Sequence, residues 1–309
     1  MSRTVFITGA NGFVGAATVR AALADGHRVM ALVRSPEPWR LAGLPGTLAG
    51  ALSVHVADLG DSGAVAALLA QLRPEVVVHS AWEGVGGALR AGDIQFDNIR
   101  TTLALVDGAI AAGVTKFVGI GSQAEYGRFD RRIVETDLPA PTMLYGAAKL
   151  AACHLVRQRL RDAGVAFAWL RLFSVYGPND NPNWLIPQVA AALARGDVPR
   201  CTAGTQKWDY LHIDDVARGV LAAAVVDGAT GVFNLSSGAP VAVRAIVERL
   251  RDLAAPGLAL RFGDVAFGPD QIIHLEGDNA RLRKATGWAP AIDTLSGLRD
   301  VVDALAVPA

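Results

Sequence analysis

Cysteine is nearly absent from this chain: two residues, Cys153 and Cys201, in 309. One falls in a helical pattern and the other in a strand or loop, so both read as small buried apolar residues rather than a disulfide, and a reducing compartment is expected. Net charge is absent as well, since Lys+Arg and Asp+Glu each total 29. No overall field recruits nucleic acid or an anionic membrane, and neither is expected as a partner. Apolar residues make up 51% of the chain, yet they are scattered, and no run reaches the roughly 18 residues of a membrane span. No basic segment followed by an apolar stretch opens the chain, which makes the cytoplasm the expected location. Internal repeats and low-complexity tracts are missing too, and no metal site is expected.

Glycine, by contrast, is plentiful, and its first informative use comes early. Arg3 to Thr8 is a β-branched and aromatic run that ends in Gly9-Ala10-Asn11-Gly12-Phe13-Val14-Gly15 and reopens as an Ala-rich helical segment. A strand, a tight turn and a helix N-terminus in that order bind a diphosphate. Gly9 permits the turn, Gly12 lets the backbone approach the phosphates, and Gly15 lets helix and strand pack closely. Val14, Ala17, Ala21 and Leu23 mark the expected buried side of the helix.

Strands and helices then alternate. Val29 to Val33 is a second strand ending at Arg34. In a dinucleotide site an acid at this tip accepts from the adenosine 2′-OH of NAD, whereas an Arg pairs with the 2′-phosphate of NADP. Arg34 therefore favours NADP(H), with NAD possible; its other reading is a solvated strand-end charge. Leu52 to Ala57 is a third strand closed by Asp58-Leu59. Asp58 stands either to accept from the adenine amino group or to cap the helix that begins near Ser62. Glu75 to Ser80 is a buried fourth strand from which Ser80, Ala81 and Trp82 leave toward the cofactor. A helix over 97–112 and a strand over 116–120 follow, and the alternation implies a doubly wound parallel α/β sheet.

The chemistry is carried by Ser122, at the end of the fifth strand, and by Tyr145 and Lys149, one helical turn apart on a helix over 144–161. A free tyrosine ionises near ~10, so it acts at neutral pH only if a nearby cation stabilises its phenolate. Lys149 is the expected cation, and Ser122 is expected to hold the substrate oxygen while Tyr145 exchanges its proton.

With these residues in place, the chain resembles an extended short-chain dehydrogenase/reductase of the nucleotide-sugar epimerase, dehydratase and 4-keto reductase group. The matching motifs are T-G-A-N-G-F-V-G at 8–15, Asp58-Leu59, H-S-A-W at 79–82, Ser122 to Gly127, Tyr145 to Lys149, L-R-L-F-S-V-Y-G-P at 170–178, W-D-Y-L-H-I-D-D-V-A at 208–217 and N-A-R-L-R-K-A-T-G-W-A-P at 279–290. The resemblance implies a Rossmann domain over 1–177 with 209–235 returning to it, and a smaller substrate domain over 178–208 and 236–309. It implies that Asn98 supports the active-site loop, that Tyr145 and Lys149 lie close to the cofactor, and that the protein is a homodimer through the helices at 97–112 and 144–161. Substrate contacts are expected from Trp82, Ser122, Gln123, Ser174, Asn183, Leu185, Lys207 and Trp208.

The departures narrow the chemistry. Dehydratases of the family carry an acidic pair directly after the Ser122 position, whereas this chain has Gln123-Ala124. Trp208 stands where many members place an Arg on the sugar-linked diphosphate, leaving that charge to Lys207 or Arg200, and a second Arg expected before Gly277 has no counterpart. The expected activity is NADP(H)-dependent reduction of the C4 keto group of a nucleotide-linked 4-keto-6-deoxyhexose. A 4-epimerase retaining NAD is the alternative within the family, and a non-catalytic NADP-binding regulator the alternative outside it.

Overall fold

A computed structural model describes residues 2–42, 44, 50–268 and 271–305. The first part of the chain alternates as expected: β1 (Thr4–Thr8), α1 (Phe13–Ala24), β2 (Arg28–Val33), β3 (Leu52–Val56), α2 (Ser62–Leu72), β4 (Val76–His79), α3 (Ile94–Ala111), β5 (Lys116–Ser122), α4 (Leu144–Asp162) and β6 (Ala166–Leu172). The remainder comprises β7 (Ser174–Tyr176), α5 (Leu185–Ala194), β8 (Lys207–Trp208), β9 (Tyr210–His212), α6 (Ile213–Val225), β10 (Gly231–Leu235), β11 (Val241–Ala242), α7 (Val243–Ala254), β12 (His274–Leu275), α8 (Ala280–Thr286) and α9 (Thr294–Leu305).

Seven strands form one parallel sheet in the order β10-β6-β5-β4-β1-β2-β3. Its central strands are buried on both faces, which is why they read as unbroken β-branched runs. Val5, Ile7, Val29 and Ala31 face one apolar layer with α1, α6 and α8. Phe6, Met30, Leu32 and Val77 face the other, with α2, α3 and α4. A third apolar cluster joins α5, α7 and α9 beside the small sheet β11-β8-β12. Cys153 and Cys201 are buried free thiols, as their surroundings suggested. Among the described residues no helix is long and apolar enough to cross a membrane.

The structure revises several local expectations. Asp61, not Asp58, caps α2 by accepting from the Ala64 amide at 3.0 Å, while Asp58 closes a turn onto the Gly60 amide at 2.7 Å. The buried side of α1 is carried by Ala16, Val19 and Ala22 together with Ala17 and Leu23, while Val14 and Ala21 are only partly covered. Two-sided contact with β1, β2 and α6 widens the stripe that simple spacing predicts. Helix α3 begins at Ile94, earlier than the polar sequence suggests, because the Gln95 side chain is buried in hydrogen bonds to the preceding loop.

Two buried polar groups tie the sheet together. Gly119 and Gly121 on β5 leave room for Trp169 of β6, since a Cβ at either would fall 2.3 or 2.2 Å from the indole. The Trp169 indole N–H donates to Glu125 at 2.9 Å, and Glu125 also accepts from the Ser122 amide at 2.9 Å and from Arg171 Nε at 2.7 Å. Glu125 and Arg171 are both buried, so each charge depends on the other. Glu125→Ala is expected to cost about 3–5 kcal/mol in chemical denaturation by stranding Arg171, and replacing both by apolar residues should cost less. A loss below about 1 kcal/mol would show that the pair is not needed.

His79 lies between the Thr8 and Thr102 hydroxyls at 2.8 and 2.9 Å. Burial, with the Lys149 charge adding to it, holds its pKa down at about 3. Unfolding frees it to protonate near ~6.5, so the unfolded chain binds the extra proton between these values and stability is lost as pH falls through that window. Between about pH 8 and about pH 5 this group should remove about 2 kcal/mol. Urea unfolding at both pH values checks this, and His79→Gln should flatten the dependence; an unchanged slope would clear His79 of the effect.

Candidate active site and family membership

At the carboxyl ends of β1 and β4 the backbone of the first turn is packed against its neighbours. Gly9 has φ +63°, and a Cβ there would sit 2.7 Å from the Ala81 amide nitrogen. A Cβ on Gly15 would fall 2.1 Å from the Gly9 carbonyl oxygen, so no other residue fits either place without displacement. Gly12 precedes α1 with no side chain capping the helix, which leaves first-turn amides for an anion. That glycine cradle and uncapped helix fit the diphosphate of a dinucleotide, which supplies or accepts hydride when bound. Phe13 and Val14 line the cleft in front of it. The Asn11 side chain accepts from the Arg40 amide at 3.0 Å and its carbonyl from the Arg40 guanidinium at 3.3 Å. Arg40 is a cation beside this turn that sequence spacing did not single out.

Arg34 stands exposed at the tip of β2 and is ion-paired with Glu83. Asp58 is exposed and Leu59 packs on the sheet, both just beyond β3. The Ser80 hydroxyl donates to the Thr8 carbonyl at 2.7 Å, and the Ala81 amide reaches the Thr8 hydroxyl at 3.4 Å. The loop after β4 is clamped by α3. Asn98 accepts from the Glu83 amide at 2.9 Å and donates to its carbonyl at 3.0 Å, while the Trp82 indole donates to Gln95 at 2.9 Å.

Ser80, Trp82, Ser122, Gln123, Tyr145, Lys149, Ser174, Leu185 and Trp208 meet around one cleft of about 650 Å³. Asn183 and Lys207 lie outside its wall; both are exposed, and strand alternation turns Lys207 to the face opposite Trp208. Of the two cations considered for a diphosphate, Arg200 lines the cleft. Arg90, Gln206 and Tyr210 line it too. Nothing in the Gly-rich stretch around Arg90 marked it in the sequence.

Around Tyr145 the geometry is specific. The Ser122 hydroxyl lies near enough to the phenol to favour its ionisation, and it accepts from the Ala124 amide at 3.1 Å. Burial pushes the Tyr145 phenol up, opposed by the Ser122 hydroxyl and by the Arg90 charge. The Arg90 guanidinium lies 4.7 Å from the ring centroid. Lys149, expected as the cation beside the phenol, instead donates to the Ile120 carbonyl at 2.6 Å and sits 3.8 Å from the Trp82 ring centroid. Burial brings its pKa down to about 7, against the attraction of Glu125. Three buried polar atoms among the cleft-lining residues lack a protein partner: Arg90 Nε, Gln123 Oε1 and Trp208 Nε1. Two donors and an acceptor left open suit a polar ligand rich in hydroxyl or carbonyl groups.

Comparison with known proteins agrees with this geometry. A dTDP-glucose 4,6-dehydratase of Streptomyces griseus is 29% identical over 98% of this chain and 94% of its own length. UDP-glucose 4-epimerase 4 of Oryza sativa subsp. japonica is 30% identical over 88% of this chain and 82% of its own. The solved structure of MoeE5 in complex with UDP-glucose and NAD superposes with a TM-score of 0.82 at 27% identity, covering 98% of each chain. Residues 5–236 match the model of the NAD dependent epimerase/dehydratase family, and with the parallel sheet and its glycine turn this places the chain in that family, among the extended short-chain dehydrogenases/reductases.

Proposed function

We propose that the chain reduces the C4 keto group of a nucleotide-linked 4-keto-6-deoxyhexose with NADPH. Arg34 carries this reading: a guanidinium occupies the strand tip where an NAD-specific site would place an acid, and it is free to pair with a 2′-phosphate if it leaves Glu83. Gln123-Ala124 in place of an acidic pair supports redox chemistry at one carbon over elimination. In this reading Ser122 orients the keto oxygen and Tyr145 delivers a proton to it, and a nicotinamide held beside Tyr145 and Lys149 would supply the hydride for C4 that completes the alcohol. Lys149, held by burial with its pKa near neutrality, is placed to relay the replacement proton or to meet the nicotinamide ribose. Arg200 takes the sugar-linked diphosphate that Trp208 cannot, and Trp208 stacks on Tyr210 beside the sugar.

A second reading, a 4-epimerase that retains NAD, draws support from Glu83. Its carboxylate stands at the β2 tip paired with Arg34, where it would accept from the 2′-OH of NAD. Denaturing the purified protein and identifying any released dinucleotide separates the two: tightly held NAD favours the epimerase, an empty site preferring NADPH the reductase. Under the reductase reading Arg34→Ala should weaken NADPH at least about tenfold with NADH little changed, since it removes one charge-assisted phosphate contact. Tyr145→Phe should lower turnover of the nucleotide-4-keto sugar about 100-fold or more while the fold and cofactor affinity persist. Conversion at the native rate in Tyr145→Phe would reject Tyr145 as the proton donor.

A further inference from the structure

We propose that Arg90 is a positioning residue for Tyr145, stacked on the phenol so that its guanidinium holds the negative charge the ring acquires when the proton is transferred. The proposal rests on Tyr145 being the acid/base group. Its geometry is independent of which sugar or nicotinamide cofactor is used.

The guanidinium carbon lies 4.7 Å from the ring centroid, within cation–π range of the face rather than beside the hydroxyl. A phenolate spreads its charge into the ring, so a cation on that face is attracted more strongly after deprotonation than before. Among the described residues, these groups bear on the phenol. Glu125, in the turn after β5, opposes ionisation; Arg90, in the turn Gly87–Ala91 before α3, favours it; the Ser122 hydroxyl, at the end of β5, favours it too. Lys149, on the same helix as Tyr145, spends its ammonium on the Ile120 carbonyl and on the Trp82 ring.

Arg90 is built into this position. No carboxylate pairs with it among the described residues, and its Nε is buried without a hydrogen-bond partner. The loop that carries it is fixed from behind: the buried Gln95 amide donates to the Gly84 and Leu89 carbonyls, both at 3.0 Å, and accepts from Trp82. Gly84 adopts φ +68°, and a Cβ there would fall 2.8 Å from Gln95 Nε2. A loop secured so closely, presenting an unpaired guanidinium to a phenol that lines a cleft, holds that charge at a set place relative to the reacting oxygen.

The test is a spectroscopic titration of phenolate in the cofactor-loaded protein, with oxidised NADP or NAD bound. Of the four tyrosines in the chain, Tyr126 is pushed up to about 12 and Tyr176 and Tyr210 are pushed up further, all chiefly by burial. Burial pushes Tyr145 up as well, so its transition is assigned as the one that disappears in Tyr145→Phe. Arg90→Gln is expected to move that transition upward by about one pH unit, and the limb of the pH–rate profile that reports Tyr145 should move with it. Arg90→Lys, which keeps a cation, should stay within a few tenths of the native transition. Because the lysine variant preserves the charge, it also serves as the folded comparison if the glutamine variant does not hold cofactor; a shift in Arg90→Lys as large as the full unit would then overturn the proposal. A transition in Arg90→Gln at the native pH overturns it as well. Native activity in Tyr145→Phe would sink the acid/base reading and the catalytic role of Arg90 with it, whereas an unmoved transition in Arg90→Gln would overturn the Arg90 proposal alone.

Discussion

Every strand of the main sheet runs in the same direction, and the placement of the site follows from that constraint. Parallel strands need crossovers, crossovers bring helices to both faces, and all strand C-termini emerge along one edge. The chain order reverses between β1 and β4, which opens a crevice there. Gly9 and Gly15 let the backbone close upon itself at that point. A dinucleotide laid on the turn would have β5, with Ser122 at its tip, as the next strand but one and α4, with Tyr145 and Lys149, beside it.

Around this frame several ionisable groups are buried beside polar or aromatic partners. Glu125 and Arg171 neutralise one another beneath Ser122, with Trp169 and the Ser122 amide completing the carboxylate. Lys149 has a carbonyl and an indole face, and the neutral His79 ring has two threonine hydroxyls. Low local polarity makes these groups sensitive to one another: Glu125 raises Tyr145 and Lys149 together, while Lys149 adds to the depression of His79. The site is therefore better viewed as one electrostatic unit than as three catalytic side chains on a passive scaffold.

The substrate side is where the chain differs most from the pattern it resembles. Trp208 replaces an expected cation and stacks on Tyr210, and Arg200 approaches from the segment before β8. In the proposed reading, an aromatic platform with a displaced cation would change how a nucleotide sugar is gripped while leaving Ser122, Tyr145 and Lys149 in place. Such variation is cheap here because α5, α7 and α9 pack in their own apolar cluster, apart from the two layers that cover the main sheet.

The amino-acid order by itself determined the alternating α/β plan, the glycine turn and the Ser122, Tyr145 and Lys149 set, because period-two and helical patterns, glycine geometry and one-turn spacing are local properties. The same locality explains its misses. Asp58 and Asp61 both suit a helix cap, and only the path of the backbone chose Asp61. Arg90 carries no spacing signal, since it reaches Tyr145 from a loop more than fifty residues away in sequence. Lys149 was placed correctly on its helix, but the direction of its ammonium was decided by the Ile120 carbonyl and the Trp82 ring, which the fold alone brings to it. Spacing selects which residues can share a face; tertiary packing decides which charges they meet, because electrostatic partners are set by distance through space and by the water excluded between them.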